Sequence, residues 1–414
     1  MESSQAAAIS DVAAIAPRIA ISAFFVTEDV GRMLGEAQRD RRMARARLDV
    51  FSGGIDAAIE RFSLAGSSNL VVVEWQGSDA ELFARLERLA KECPHSTRVL
   101  VIGHRNDVGL YRALLARGVS DYAVAPVGVV EFFAIVARIY SDMGDTAIGS
   151  TVALIGASGG VGSSTVAHNV AWAMAAELDT DVLLVDADVA FGTTGLNFNL
   201  EAKHHGVLDA LQQTGRMDEE MLERLVAKPH ARLSVLSAPA TLEAGYELDW
   251  SHFERAMDVA RARAGYTLFD LPHSWNNGVR DLLKVVDQIV VVARPELAAL
   301  RNCKNLLAYI ASIRPNDPSP KLILNQVGVP RRAEIKPTEF ARAAGRDLDV
   351  VLAFEPALFG TAANNGQLIG QFARNSRASH TFIQTASMLV NGSKPANRAQ
   401  RKSRLGRRIL GLKP

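Results

Sequence analysis

The chain has 414 residues, a formal net charge of +1 and 48% hydrophobic residues. This length allows two or three domains, the composition suits a globular α/β protein, and near-neutral charge gives no overall attraction to nucleic acid. Two distant cysteines, Cys93 and Cys303, argue against a disulfide framework or a zinc site, no apolar run reaches the ~18 residues of a membrane span, and the N-terminal stretch lacks a basic n-region, so a cytoplasmic protein without a signal peptide is expected.

Residues 1–17 are rich in Ala and Ser and read as a flexible arm. From Arg18 to Asp142 short apolar strands alternate with helices. Strands are expected at Ile19–Phe25, Arg47–Phe51, Asn69–Trp75, Arg98–Gly103 and Asp121–Val124. Helices are expected at Gly54–Phe62, Asp79–Cys93, Val108–Arg117 and Val129–Asp142. That alternation predicts a doubly wound parallel sheet of flavodoxin-like type. A linker, residues 143–150, follows. A second doubly wound α/β domain is expected over 151–390, with strands at Thr151–Ile155, Asp181–Val185, Leu233–Leu236, Tyr266–Leu271, Gln288–Ala293, Lys321–Asn325 and Val350–Ala353. Its helices are expected at Ser164–Ala176, from Leu208 towards Val226, and at Trp250–Arg263, Val279–Val286, Glu296–Ile313 and Lys336–Ala344. Residues 391–414 carry eight Lys/Arg and no acid, which reads as a basic flexible tail. Its Arg404, Arg407 and Arg408, interleaved with Leu405, Ile409 and Leu410, also allow a weak contact with an anionic membrane surface or with phosphates.

The chemistry concentrates in Thr151–Ala176. An apolar strand runs into Gly156-Ala157-Ser158-Gly159-Gly160-Val161-Gly162 and then into a helix beginning Ser163-Ser164-Thr165. Glycines let backbone N–H groups converge on a phosphate, and a helix N-terminus adds its dipole. Ser164 or Thr165 can offer a hydroxyl to Mg²⁺. Measured from Gly156 the loop is one residue longer than G-x-x-x-x-G-K-[ST]; measured from Ala157 the spacing fits, with alanine in the glycine place. Ser163 stands where the lysine belongs. Asp186 and Asp188 end one strand and Asp270 another, at the edge where parallel sheets bind ligands. One such acid can hold a metal through water, and another can orient an attacking water. His204, His205 and His273 lack metal-ligand spacing and read as loop residues, and Trp172 and Trp275 as packing residues.

On these residues the second domain resembles the ParA/MinD group of deviant Walker ATPases, whose loop reads K-G-G-x-G-K-[ST]-[ST] against Ser158-Gly159-Gly160-Val161-Gly162-Ser163-Ser164-Thr165 here. Within the group the chain is similar to the CpaE/TadZ family of tight-adherence (Flp) pilus assembly. A receiver-like domain precedes the ATPase fold, serine replaces the Walker lysine, and the segments Leu322–Pro330 and Phe359–Gly366 read like that family. The resemblance implies ATP and Mg²⁺ as cofactors. It implies nucleotide contacts at residues 158–165, with Asn325 at the adenine, and metal contacts at Ser164, Asp186 and Asp270. Asp188 takes the catalytic place. It further implies an ATP-linked homodimer at the cell pole or inner membrane face, with the pilus secretion ATPase and other pilus components as partners. A receiver would need paired acids after its first strand, an Asp after the third, Ser or Thr after the fourth and Lys after the fifth. Here those places hold Ala23-Phe24-Phe25, Glu74, Gly103-His104 and Ala125-Pro126. The first domain is therefore expected to dock or dimerise, not to be phosphorylated. With serine at both lysine places, binding is expected and fast hydrolysis is not. A scaffold with a vestigial site, or a partitioning-type ATPase, are the alternatives; neutral charge and the lack of a helix-turn-helix speak against DNA.

Overall fold

The computed structural model describes residues 16, 19–43, 46–64, 68–94, 96–141, 149–200, 206–212, 219–239 and 264–392. The basic tail beyond 392, the expected helix at Trp250–Arg263 and the His204-His205 pair lie outside the described residues. Those up to Ser141 belong to one compact unit and those from Gly149 onward to another.

The first unit runs β1 (Ala20–Phe25), α1 (Glu28–Arg39), β2 (Arg47–Ser52), α2 (Gly54–Leu64), β3 (Leu70–Trp75), α3 (Asp79–Glu92), β4 (Arg98–Gly103), α4 (Val108–Leu115), β5 (Asp121–Val124) and α5 (Val129–Ser141). Its five strands are all parallel in the order β2-β1-β3-β4-β5, the flavodoxin-like order. The central strands are apolar on both faces because helices cover both. Helix α1 was not expected. Its Gly31 and Gly35 and its many charges weaken the helical signal. Even so, Val30, Met33, Leu34 and Ala37 fall at helical spacing on its buried face, and Glu28 and Asp29 favour its first turn.

Glu74, at the end of β3, is fully buried. Its carboxylate accepts hydrogen bonds from the Val26 and Thr27 amides at 2.6 and 2.9 Å, from the Thr27 hydroxyl at 2.6 Å and from His104 Nε2 at 2.8 Å. Burial works against the charge, but these hydrogen bonds outweigh it and hold the carboxyl below its ordinary range. Glu74 is thus an internal clamp between β1, β3 and β4.

The second unit runs β6 (Ser150–Gly156), α6 (Ser163–Glu177), β7 (Val182–Asp186), α7 (Thr194–Asn197), α8 (Gly206–Gln212), α9 (Glu219–Leu225), β8 (Ala227–His230), β9 (Leu233–Leu236), β10 (Tyr266–Asp270), α10 (Asn277–Val285), β11 (Gln288–Ala293), α11 (Leu297–Ile313), β12 (Lys321–Val327), α12 (Pro337–Ala344), β13 (Val350–Ala353), α13 (Pro356–Asn364), α14 (Ile369–Phe372) and α15 (Arg377–Gly392). Its eight strands lie in the order β13-β12-β11-β6-β10-β7-β9-β8. All pair parallel except β8, antiparallel to β9. Helix α6 is buried nearly all round, from Val166 to Ala175. It lies against the sheet on one side and against α15, which together with α13 and α14 went unexpected, on the other.

Replacing Glu74 by Ala should leave the Val26 and Thr27 amides without their acceptor. Amide hydrogen exchange on the full chain is expected to speed up at the end of β1 by about ten- to a hundredfold. Because the folded carboxyl titrates below its ordinary value, the clamp stays in place through the usual carboxylate range and is lost only as pH falls through the lower folded value.

Candidate functional site

The sheet order places five functional segments at one edge. Strands β12, β11, β6, β10 and β7 are consecutive neighbours, and each carries one of them at or within two residues of its C-terminal end: Asn325, Arg294, the glycine loop, Asp270 and Asp186. Ala157 N donates to Val292 O at 2.8 Å, which fixes the start of the loop to the end of β11.

The loop has the backbone its glycines foretold. Gly160 and Gly162 have φ of +71° and +86°, a region open to glycine. A Cβ on Gly162 would sit 2.6 Å from Asn325 Nδ2. Gly162 precedes α6 without any side-chain cap, so the first amides of that helix have no side-chain acceptor. Gly159 and Gly160 are exposed, and Ser158, Gly162, Ser163, Ser164 and Thr165 are half-buried. Val161 is a core residue and offers only its backbone. Ser163 is turned inward, its Oγ 3.1 Å from where a Cβ on Gly156 would be.

Asp186 and Asp270 are register partners on adjacent strands, with 0% and 1% exposure. Asp186 Oδ1 accepts from Asp188 N at 3.1 Å, and its Oδ2 accepts from Thr194 N at 3.1 Å and Thr194 Oγ1 at 2.6 Å. Both oxygens therefore hold the segment that follows β7, and Oδ1, with a single bond, keeps a lone pair open. Burial first, and the neighbouring Asp270 charge second, push its carboxyl up to about 6. His168, fully buried on α6, completes the cluster. The Thr194 hydroxyl donates to Asp186, so it accepts from His168 Nε2 at 2.9 Å, while Asn197 Nδ2 lies 2.9 Å from His168 Nδ1. The proton is thereby assigned to Nε2, which is also 3.3 Å from Asp270 Oδ2. Asp270 Oδ1 and Ser158 Oγ are buried with no hydrogen-bond partner, a cost of about 1–3 kcal/mol each unless something outside the chain satisfies them. Asp188 is half-buried, and its Oδ1 accepts from Phe191 N at 3.0 Å.

Asn325 reaches the loop from β12. At 8% exposure it donates from Nδ2 to Val161 O at 2.8 Å and accepts Gln326 N on Oδ1 at 2.8 Å, so it braces the loop. Gln326 assists by donating to Gly160 O at 2.9 Å. Asn302 Nδ2 does the same for Ala157 O at 2.9 Å. Among the described residues no group of three or more His, Cys, Asp or Glu could hold a metal. A magnesium ion carried by phosphates, one hydroxyl and waters needs no such group. Ser164 and the unsatisfied Asp270 Oδ1 suit that donor set, and the glycine amides suit the phosphates. The residues present fit a magnesium nucleotide except for a loop cation.

Beside the loop, Ile155, Gly156, Pro272, Trp275, Asn302 and Tyr309 line a cavity of about 470 Å³. Trp275 does not pack inside as expected: it is 52% exposed, edge-on to Tyr309. His273 is a loop residue as expected, but its ring lies 3.7 Å from where a Cβ on Gly159 would be. The sequence reading missed His168, Thr194, Gln326 and Arg294. Arg294 stands just past the end of β11, as Asp186 and Asp270 stand at the ends of β7 and β10, so the same rule would have found it.

The fold of the second unit is ParA-like. A ParA family ATPase from Chlorobium tepidum TLS superposes with a TM-score of 0.53 at 23% identity, covering 57% of this chain and 98% of that one. The family model described as cellulose biosynthesis protein BcsQ matches residues 150–329. The pilus assembly protein CpaE of Caulobacter crescentus CB15 is 37% identical, covering 30% of this chain and 95% of that one, with a TM-score of 0.30. A candidate CpaE2 pilus assembly protein of Sinorhizobium meliloti 1021 is 48% identical, covering 29% and 98%, with a TM-score of 0.28. That identity, over nearly all of both solved chains, places this chain in the CpaE family of pilus assembly proteins. The chain spans about half, 47%, of a Mycobacterium tuberculosis relative to which it is 31% identical over 174 residues.

An unfolded aspartate loses its proton near 3.8, whereas folded Asp186 holds it to about 6. Between those values the folded chain carries the extra proton. The group's contribution to stability is therefore full below 3.8 and is lost as pH rises through about 6. Denaturant midpoints measured against pH should show this fall in the wild type and lack it in Asp186→Asn. Equal slopes would contradict the account of Asp186.

Proposed function

We propose that the chain is an ATP-binding localisation and assembly factor of a tight-adherence (Flp) pilus machine, in which the nucleotide acts as a ligand more than as a fuel. The observation that carries the reading is the loop itself. It keeps the glycine conformations, the uncapped helix and an unsatisfied buried oxygen on Ser158, with a second on Asp270, yet has serine at both lysine places. Backbone amides of residues 159–165 would receive the phosphates, and Ser164 with Asp270 would receive Mg²⁺, directly or through water. A bound magnesium ion supplies charge neutralisation between the phosphate oxygens. Asp188, at the mouth of the turn after β7, is the residue placed to orient a water. Asp186, His168 and Thr194 hold that turn in position.

The segments that follow the strands at this edge expose Phe191, Leu196, Trp275 and Leu297, at 75%, 74%, 52% and 75%. They follow β7, β10 and β11, which share the edge with the glycine loop. Large apolar side chains around a ligand edge support self-association across it, with the nucleotide between two copies. The receiver-like first unit, whose Glu74 is locked in hydrogen bonds, suits docking to pilus components, the secretion ATPase among them, at the cell pole or inner membrane face. No helix among the described residues is long and apolar enough to cross a membrane, and the basic tail is the segment suited to a weak membrane-surface contact.

The scaffold reading has one observation in its favour, the missing loop cations. Equilibrium titration of the full chain separates the two. Mg·ATP should bind with a Kd in the micromolar range, about −8 kcal/mol at 1 μM, and sedimentation should show dimer only with nucleotide. Gly162→Val, strained by its positive φ and by contact with Asn325, should abolish binding while the chain stays folded. No binding at millimolar Mg·ATP would leave the scaffold.

A further inference from the structure

The loop's missing charge has a counterpart one strand away. Arg294 follows the end of β11, the neighbour of β6. Its Nη1 lies 3.9 Å from where a Cβ on Gly160 would stand. Gly160 is an exposed loop glycine with φ +71°, so the guanidinium borders the loop where it is open to a ligand. We propose that Arg294 is a phosphate-binding residue of this chain, giving the β- and γ-phosphates the positive charge that the loop's own sequence withholds. This rests on the reading that the loop binds a nucleotide.

Its placement is built, not incidental. Arg294 Nε donates to Glu296 Oε2 at 2.6 Å. Among the described residues its two terminal nitrogens make no hydrogen bond, which leaves the bidentate end of the guanidinium for a ligand. Glu296 Oε1 accepts from Arg332 Nη1 at 3.3 Å, Arg332 Nη2 donates to Gln326 O at 2.6 Å, and Gln326 Nε2 donates to Gly160 O at 2.9 Å. The circuit starts at Gly160 and returns to it. Its β12 side is held by two non-glycine residues in the left-handed region, Gln326 at φ +56° and Arg331 at +64°. Such strain persists where surrounding contacts over-determine it, and it gathers at ligand sites. The two nearby histidines are less suited. His168 is sealed inside the unit by Thr194 and Asn197. His273 has Nδ1 3.3 Å from Gly156 O. Arg294 is about a third exposed, with its side chain at 30%, so it is open to a ligand while fixed at Nε.

The test titrates the full chain with Mg·ATP, Mg·ADP and AMP at several salt concentrations, for the wild type and for Arg294→Ala, Arg294→Lys and Glu296→Gln. Arg294→Ala should weaken Mg·ATP by about tenfold or more and flatten its salt dependence, leaving AMP unchanged. Arg294→Lys should recover part of the loss. Glu296→Gln, which frees the guanidinium without removing it, should weaken Mg·ATP several-fold, and it carries the test alone if Arg294→Ala does not fold. Wild-type affinity for Mg·ATP in Arg294→Ala, or an equal loss for AMP and ATP, would overturn the assignment while the nucleotide reading stands. A wild type that binds no nucleotide overturns both.

Discussion

Two carboxylates side by side in the interior set the terms for the rest of the second unit. Asp186 and Asp270 end neighbouring strands as register partners, both buried away from solvent. Each charge taken from water costs several kcal/mol unless hydrogen bonds or a cation replace the solvent. The chain meets that cost unevenly. Asp186 receives three hydrogen bonds from the turn that follows it, and the turn is thereby shaped: Thr194 must face inward, and Gly192 must be glycine, since a Cβ there would come within 2.3 Å of Asp186 Oδ2. Asp270 receives His168 on one oxygen and nothing on the other. The unsatisfied half of the pair is where a bound cation would do most good.

The loop beside it shows the same division between a finished and an unfinished part. Its backbone is held on several sides by Asn325, Gln326 and Asn302, which together fix the carbonyls of Val161, Gly160 and Ala157. That rigidity is what a phosphate cradle needs, because donors already in place need no ordering when the ligand arrives. What the loop sequence lacks is positive charge. A loop lysine stabilises the charge that develops as a phosphoryl group leaves, so its absence weighs more on the rate than on binding. A cation supplied by β11 would restore much of the ground-state attraction without recreating the lysine geometry.

Most of the strands were legible because parallel strands covered on both faces must be continuous apolar runs, and Leu70–Val73, Val99–Ile102, Val152–Ile155 and Ile289–Val292 are such runs. The acids were legible because the ends of parallel strands are where such sheets bind ligands. Helix α1 was hidden by its two glycines and its charges. Helices α13, α14 and α15 were hidden because their role, covering α6, comes from tertiary contact such as the Asn169 side chain accepting Ile369 N at 2.8 Å. His168 could not be found from sequence: it stands in a helix otherwise read as apolar packing, and only the fold brings it beneath Asp270. Asn325 was legible as a site residue, but the contact of its amide with Val161 was not, since it depends on how β12 lies beside the loop.

The central claim is that this site is built to hold a magnesium nucleotide and not to consume it. Loading the full chain with labelled Mg·ATP, removing the excess, and following the chemical identity of the bound nucleotide tests it most directly. The account predicts retained, intact ATP, with conversion no faster than about 10⁻⁴–10⁻³ s⁻¹, the range of phosphate-loop proteins working without an added arginine. Prompt conversion to bound ADP at about 1 s⁻¹ or faster, the ordinary range of enzymes, would contradict it.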